Sequence, residues 1–301
     1  MSSPPAWDGT SKGSAAGTWI FIQLITRFGL IPAYFLLTFV SLYYALFKKE
    51  PITVIRSLRN HCHLKTSLFD LYRHFFSFGM SLIDKYAFLL RRKSPFSFES
   101  IREDVITQAL GNGRGVILLG AHIGNWEIAG NLLSERLGAP ISYVMVDAER
   151  PDVRGVLGKA LDARKTAVIP VAGDGLDFMF AVKEALKKNG IVCMHGDRNI
   201  GTKGEKHNFL GEDVVFPIGP FAIGAATGAP VIPVIVTKSG LKKYVFKAYA
   251  PILFEGVTPQ NRDKYIFTAM ERYVGILEQV VKEKPYEWFN FYNFWAGMSK
   301  L

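Results

Sequence analysis

The chain has little cysteine, an acidic deficit and, in the setting each requires, none of the short signatures that mark most nucleotide and hydrolase sites. Its two cysteines, Cys62 and Cys193, stand far apart and outside any C-x-x-C spacing, which excludes a disulfide scaffold and a zinc-ribbon arrangement. G-x-x-x-x-G-K-[ST] does not occur, and the G-x-S-x-G at 9–13, GTSKG, lies in the Ser/Gly-rich N-terminus with no apolar strand before it, so neither a P-loop nor a serine-hydrolase elbow is supported. The glycine-rich run at residues 111–115 precedes an apolar strand, whereas a phosphate-binding loop must come after one and open a helix. Disorder is excluded by 49% hydrophobic and 13% aromatic residues.

Asp and Glu number 26 against 36 Lys and Arg, giving a formal charge of +10 over 301 residues. The imbalance is local: residues 48–93 hold ten Lys/Arg and only Glu50, Asp70 and Asp84 of opposite sign. Immediately before them, FGLIPAYFLLTFVSLYYALF at 28–47 carries no charge. A helix of that length is about 30 Å long, close to the thickness of a bilayer's hydrocarbon core. Apolar run and basic flank together predict a membrane anchor over 18–47, spanning or lying in the interface, with the rest of the chain on the cytoplasmic side. No small-x-small cleavage site comes after Phe47, which argues against a signal peptide.

Residues 1–17, rich in Ser, Gly, Pro and Ala, read as a disordered N-terminus. The segment 48–100 reads as basic and helical, with Leu64, Leu68, Leu71, Phe75, Phe78, Leu82, Tyr86 and Leu89 along one face. From 101 to 301 the pattern changes to short apolar runs alternating with amphipathic stretches. Strands are expected at 115–119, 141–146, 167–171, 191–194, 231–237 and 244–254, and helices at 127–137, 153–164, 176–188, 217–227 and 259–282. The fold class is therefore α/β, a mainly parallel sheet flanked by helices. Ligands in such sheets bind beyond the carboxyl ends of the strands. Three polar clusters fall there: GAHIGNWE at 120–127, Asp147 to Arg150, and HGDRN at 195–199.

His122 is the natural general base, because a neutral imidazole accepts a proton near neutral pH when its other nitrogen is held. Glu127 is placed to hold it. No serine nucleophile stands nearby in the sequence, so an acceptor substrate would supply the hydroxyl. Asn125 and Trp126 fall in the same stretch and are candidate substrate contacts, as are Arg150, Arg154 and Arg198, whose guanidinium groups suit phosphate, and Asp197 beside Arg198. Two rival readings use the same residues. In one, His122, Glu127, His195, Asp197 and His207 gather around a metal in a hydrolase; in the other, the body is a lipid-binding membrane scaffold without chemistry.

GAHIGNWE resembles the first motif, H-x-x-x-x-D/E, of the lysophospholipid acyltransferase superfamily, in the branch of the bacterial lipid A late acyltransferases. VDAERP at 146–151 is similar to that family's second block. HGDRN and the segment KHNFLGEDVVFPIGPFAIGAATGAPVIPVIV resemble its third and fourth blocks, and KPYEWFNFYNFW at 284–295 its closing P-x-x-W-F segment. The resemblance implies a glycerolipid acyltransferase-like fold at the bacterial inner membrane. It implies that His122 deprotonates an acceptor hydroxyl on a lipid or glycolipid for attack on an acyl thioester of acyl carrier protein or coenzyme A, with Glu127 orienting it and Arg150 or Arg154 helping to build the site. It calls for no metal and no cofactor beyond that co-substrate, and no nucleic-acid partner. One departure stands out: HGDRN occupies the place where the lipid A enzymes tend to read Asp-Gln.

Overall fold

Gly29 divides the long apolar stretch. In a computed structural model, residues 15–90, 94–126, 128, 133, 136–146, 166–171, 176–199 and 203–295 of the chain are described. Helices α1 (Ala15–Phe28) and α2 (Leu30–Phe47) meet at Gly29, whose φ of 87° only glycine adopts at ease. The glycine N–H still donates to the carbonyls of Leu24 and Ile25 and so closes α1. Of the 20 residues expected as one helix over 28–47, 18 form α2, while Phe28 ends α1 and Gly29 joins the two.

One stripe of α2, Leu30, Ala33, Tyr34, Leu37, Ser41 and Ala45, is buried. It packs on α4 (Leu68–Leu90), where Gly79 leaves room for the Leu37 side chain. The opposite stripe, including Ile31, Phe35, Phe39, Leu42, Tyr43, Leu46 and Phe47, is exposed. This one apolar helix, a third buried, is a candidate membrane anchor. The basic segment forms α3 (Lys49–His61) and α4. Leu71, Phe75 and Phe88 of α4 are buried, while Leu68 and Leu82, expected on the same face, are exposed.

Strand β1 (Ser97–Ile101) lies across the boundary drawn at residue 100, and α5 (Asp104–Leu110) leads into β2 (Val116–Gly120). Then come β3 (Ile141–Val146), β4 (Thr166–Val171), α6 (Leu176–Lys187), β5 (Ile191–His195), β6 (Gly204–Phe209), β7 (Glu212–Pro217), α7 (Gly219–Thr227), β8 (Val231–Gly240), β9 (Lys243–Ala248) and α8 (Arg262–Glu283). Of the helix expected over 127–137, Ile128, Leu133, Arg136 and Leu137 are described and are helical, as is Trp126 just before it. The helix expected over 153–164 lies outside the described residues.

Seven strands form one sheet in the order β1-β9-β8-β2-β5-β3-β4. Strands β8, β2, β5, β3 and β4 run parallel, and β9 turns back antiparallel to β8 through a tight turn. Continuous apolar runs such as Val116 to Leu119 are what a strand buried on both faces requires. Ile117, Leu119, Val192 and Met194 point into the core on one side, with α7 and α8 residues; Val116, Leu118, Ile191 and Cys193 point into the other, with α1, α2, α4 and α5 residues. A separate hairpin, β6-β7, had no counterpart in the expected strands. Leu210 and Gly211 at its turn both have positive φ, 54° and 90°, as a two-residue hairpin connection demands.

Candidate active site

Sheet register builds the site. Gly120, the last residue of β2, pairs with His195, the last residue of β5. Each strand then gives way to a loop, and the residue two positions beyond each end, His122 in one and Asp197 in the other, meets its counterpart. His122 Nδ1 lies 2.8 Å from Asp197 Oδ1, and the His122 backbone N–H donates to Oδ2 at 3.0 Å. Trp288 Nε1 donates to the same Oδ2 at 3.1 Å.

Asp197 is fully buried, an environment that opposes its charge. That burial is outweighed by the His122 ring, by the hydrogen bond from it and by Arg198, which together hold the carboxyl well below the usual carboxylate range. An ionised carboxylate only accepts hydrogen bonds, so His122 carries a proton on Nδ1, and Nε2 lies on the other side of a ring that is 24% exposed. A ring held through Nδ1 is the arrangement in which a neutral imidazole acts as a general base through Nε2.

The loop that carries His122 is clamped by three other elements. Gly124 N–H donates to Glu287 O, Asn125 N–H to Val236 O of β8, and Phe289 N–H to His122 O. Ser81 of α4 donates its hydroxyl to Gly124 O at 3.0 Å and accepts the Asn125 side-chain amide on its backbone carbonyl at 2.8 Å. Gly124 is obligatory here: φ is +63°, and a Cβ would sit 1.8 Å from Val236 O. Tyr273 of α8 donates to Gly120 O at 2.8 Å and fixes the strand end from beneath.

Two aromatic rings wall the site. Trp126 and His195 lie edge to face at 4.2 Å, and His195 is 4.2 Å from the His122 ring. Below them a narrow apolar cavity enters the sheet between Leu118, Cys193, Met194, Val234, Val236 and Phe246, with Gly120, Trp126, Leu133 and His195 also in its wall. Burial, and then the neighbouring His122, push the His195 imidazole well below the ordinary histidine range. Arg198 donates to Phe289 O at 2.8 Å and lies over the Tyr292 ring; burial lowers its pKa, with Asp197 and Tyr292 opposing.

The residues expected at the site therefore separate. His122, Trp126, Asp197 and Arg198 come together. Asn125 is turned toward α4 and braces the loop. Glu127, Arg150 and Arg154 lie outside the described residues. His207, on β6, packs against Phe267 of α8, and among the described residues no group of three or more His, Cys, Asp or Glu side chains is arranged to hold a metal ion. Trp288 and Tyr273 carry roles that the sequence did not signal. Trp288 stood out only as one aromatic in a dense run, whereas Ile123 and Trp288 bridge antiparallel and deliver its indole to Asp197.

Known proteins share this sequence pattern. A family model described as bacterial lipid A biosynthesis acyltransferase matches residues 74–296. The chain is similar to the phosphatidylinositol mannoside acyltransferase of Mycobacterium tuberculosis, 31% identical over 133 residues, 43% of this chain and 41% of that protein. The enzyme of the same description from Mycolicibacterium smegmatis is 31% identical over 134 residues, 44% and 43% of the two chains. The aligned part thus spans less than half the length of these curated relatives. Because the family model takes in most of the chain, with His122, Asp197 and Trp288 inside it, the chain belongs to the bacterial lipid A biosynthesis acyltransferase family.

Proposed function

We propose that this protein transfers a fatty acyl chain from an acyl thioester, carried by acyl carrier protein or coenzyme A, to a hydroxyl of a membrane glycolipid. The single observation that carries the reading is the His122–Asp197 pair at the ligand edge of the sheet: an imidazole whose Nδ1 is held by a buried carboxylate. In the reaction His122 Nε2 takes the proton of the acceptor hydroxyl as its oxygen attacks the thioester carbonyl carbon. The tetrahedral oxyanion collapses, the C–S bond breaks, and the proton on His122 passes to the departing thiolate. Asp197 stabilises the imidazolium formed midway. Glu127, four residues beyond Ile123 in the same motif, is a second group for orienting His122, and Arg150 and Arg154 are candidates for binding phosphate on either substrate.

The apolar lining beside Trp126 and His195 is in keeping with a hydrophobic substrate near His122. The relatives' description supports a phosphatidylinositol mannoside as acceptor class, a glycolipid with free sugar hydroxyls. Helix α2, with its exposed aromatic stripe and Lys48 and Lys49 beside it, supports attachment at the cytoplasmic face of the inner membrane, where anionic headgroups attract lysine. The test is acyl transfer from hexadecanoyl-CoA or hexadecanoyl acyl carrier protein to phosphatidylinositol dimannoside or a lipid A precursor, read by mass spectrometry. His122→Ala should lose at least about 1,000-fold in turnover while keeping its circular dichroism. Turnover unchanged in that variant sinks the mechanism.

A further inference from the structure

His195 is the polar exception in the cavity wall. It ends β5, it touches both His122 and Trp126, and its Cδ2 edge lies over Gly120, where a Cβ would be 3.5 Å away. Among the described residues its Nε2 is a buried polar atom with no hydrogen-bond partner. A buried imidazole nitrogen without a partner forfeits about 1–3 kcal/mol, and here it does so within contact distance of the catalytic ring. The surrounding wall, Leu118, Cys193, Val234, Val236 and Phe246, offers it no side-chain oxygen or nitrogen. The nitrogen is thus left to be satisfied by a group from outside the protein.

We propose that His195 is a second functional histidine, whose Nε2–H donates a hydrogen bond to the carbonyl oxygen of the bound acyl thioester. This rests on the acyltransferase reading of the same site. The thioester carbonyl sits against the imidazole, and the carbonyl carbon is thereby held beside the His122 ring, 4.2 Å from that of His195. As negative charge develops on that oxygen during attack, the bond strengthens, so it favours the transition state over the bound substrate. A neutral imidazole suits this role, because it donates without competing with His122 for the proton. Burial keeps it neutral. Trp126, edge on to the ring, fixes its tilt.

The experiment uses the full chain and carbonyl-13C-labelled hexadecanoyl-CoA. In a His122→Ala background, where the complex does not turn over, infrared difference spectra should show the bound thioester carbonyl at lower wavenumber than in water-free solvent. His195→Leu and His195→Met should return it to the higher position, while His195→Gln, which keeps an N–H near the Nε2 position, should hold it low. With His122 present, His195→Leu should lose about 100-fold in kcat with KM changed less than about threefold, the size and signature of a lost oxyanion donor. A carbonyl band that ignores residue 195 overturns the proposal and assigns the orphaned nitrogen to a structural water. Absence of any saturable carbonyl band in every variant overturns the thioester reading itself, and this proposal with it. Two apolar replacements guard against one of them failing to fold.

Discussion

At the scale of single residues, Asp197 shows how a buried charge is kept in service. Burial works against it, yet three donors and a neighbouring guanidinium face its two oxygens or lie beside it, and the carboxyl stays ionised. Asp197→Asn keeps the shape but presents an amide that can donate to Nδ1 and reverse the His122 tautomer. Turnover should fall about 1,000-fold or more with KM little changed, measured in the glycolipid transfer assay. Trp288→Phe removes one donor and leaves the carboxylate two; a loss of about tenfold is expected, since one hydrogen bond to a charge contributes about 1.5–3 kcal/mol and the loop can partly relax. Because the folded pKa of Asp197 is depressed, its share of stability is complete above the unfolded value near 4 and is lost only as acid drives the pH down through the depressed value. His122 was legible from its place after an apolar strand, and Asp197 as part of a polar cluster at a strand end. Their partnership was not, because it spans 75 residues and depends on the Gly120–His195 register. Trp288, 91 residues beyond Asp197, was hidden for the same reason.

Among the elements, the joint between the N-terminal helices and the sheet is the most exposed to a single change. Asp84 of α4 accepts from Tyr34 of α2, Lys238 of β8 and Tyr244 of β9, and its side chain is fully buried. Burial raises its pKa against the lowering pull of Lys238. Lys238→Met leaves that carboxylate with two hydroxyls and no cation; unfolding in urea should show a loss of about 3 kcal/mol, and the double variant Lys238→Met/Asp84→Asn should recover part of it. Gly124→Ala is expected to be worse for function than for fold. Its Cβ would collide with the Val236 carbonyl, which belongs to a strand and cannot yield, so the His122 loop must move. Activity should drop at least about 100-fold while far-ultraviolet circular dichroism is kept. The central strands and most helices were readable from apolar periodicity, whose cause is burial on both sheet faces. The break at Gly29 and the β6-β7 hairpin were not: one glycine in an apolar run carries no period, and Leu210-Gly211 turns on backbone angles.

The whole molecule has a built-in sensitivity to acid. His74 of α4 is fully buried, edge on to Phe289 and Phe291 of the aromatic tail. Burial, assisted by Arg59, pushes its pKa down to about 3. A histidine depressed in the fold binds its proton more readily when unfolded, so stability is full above about pH 6.5 and falls as the pH drops from there toward 3. This group alone should cost roughly 2 kcal/mol between pH 6.5 and 5. His74→Phe should flatten the decline in thermal midpoint over that range; His195 and His207, also depressed, keep it from vanishing. At the surface, Phe35→Ser/Phe39→Ser removes two rings from the exposed face of α2. Sedimentation with anionic vesicles should weaken at least about tenfold, with activity on detergent-dispersed substrate retained.

The crossing of the tail over the His122 loop sets an order of events during synthesis. Helices α1 and α2 leave the ribosome before the strands of the sheet. The backbone bonds to Gly124 and His122 and the indole bond to Asp197 all come from residues 287–289, among the last parts of the site to be translated. A nascent chain that has folded its first helices therefore lacks the contacts that hold the His122 loop, and these form only when the tail has closed over it.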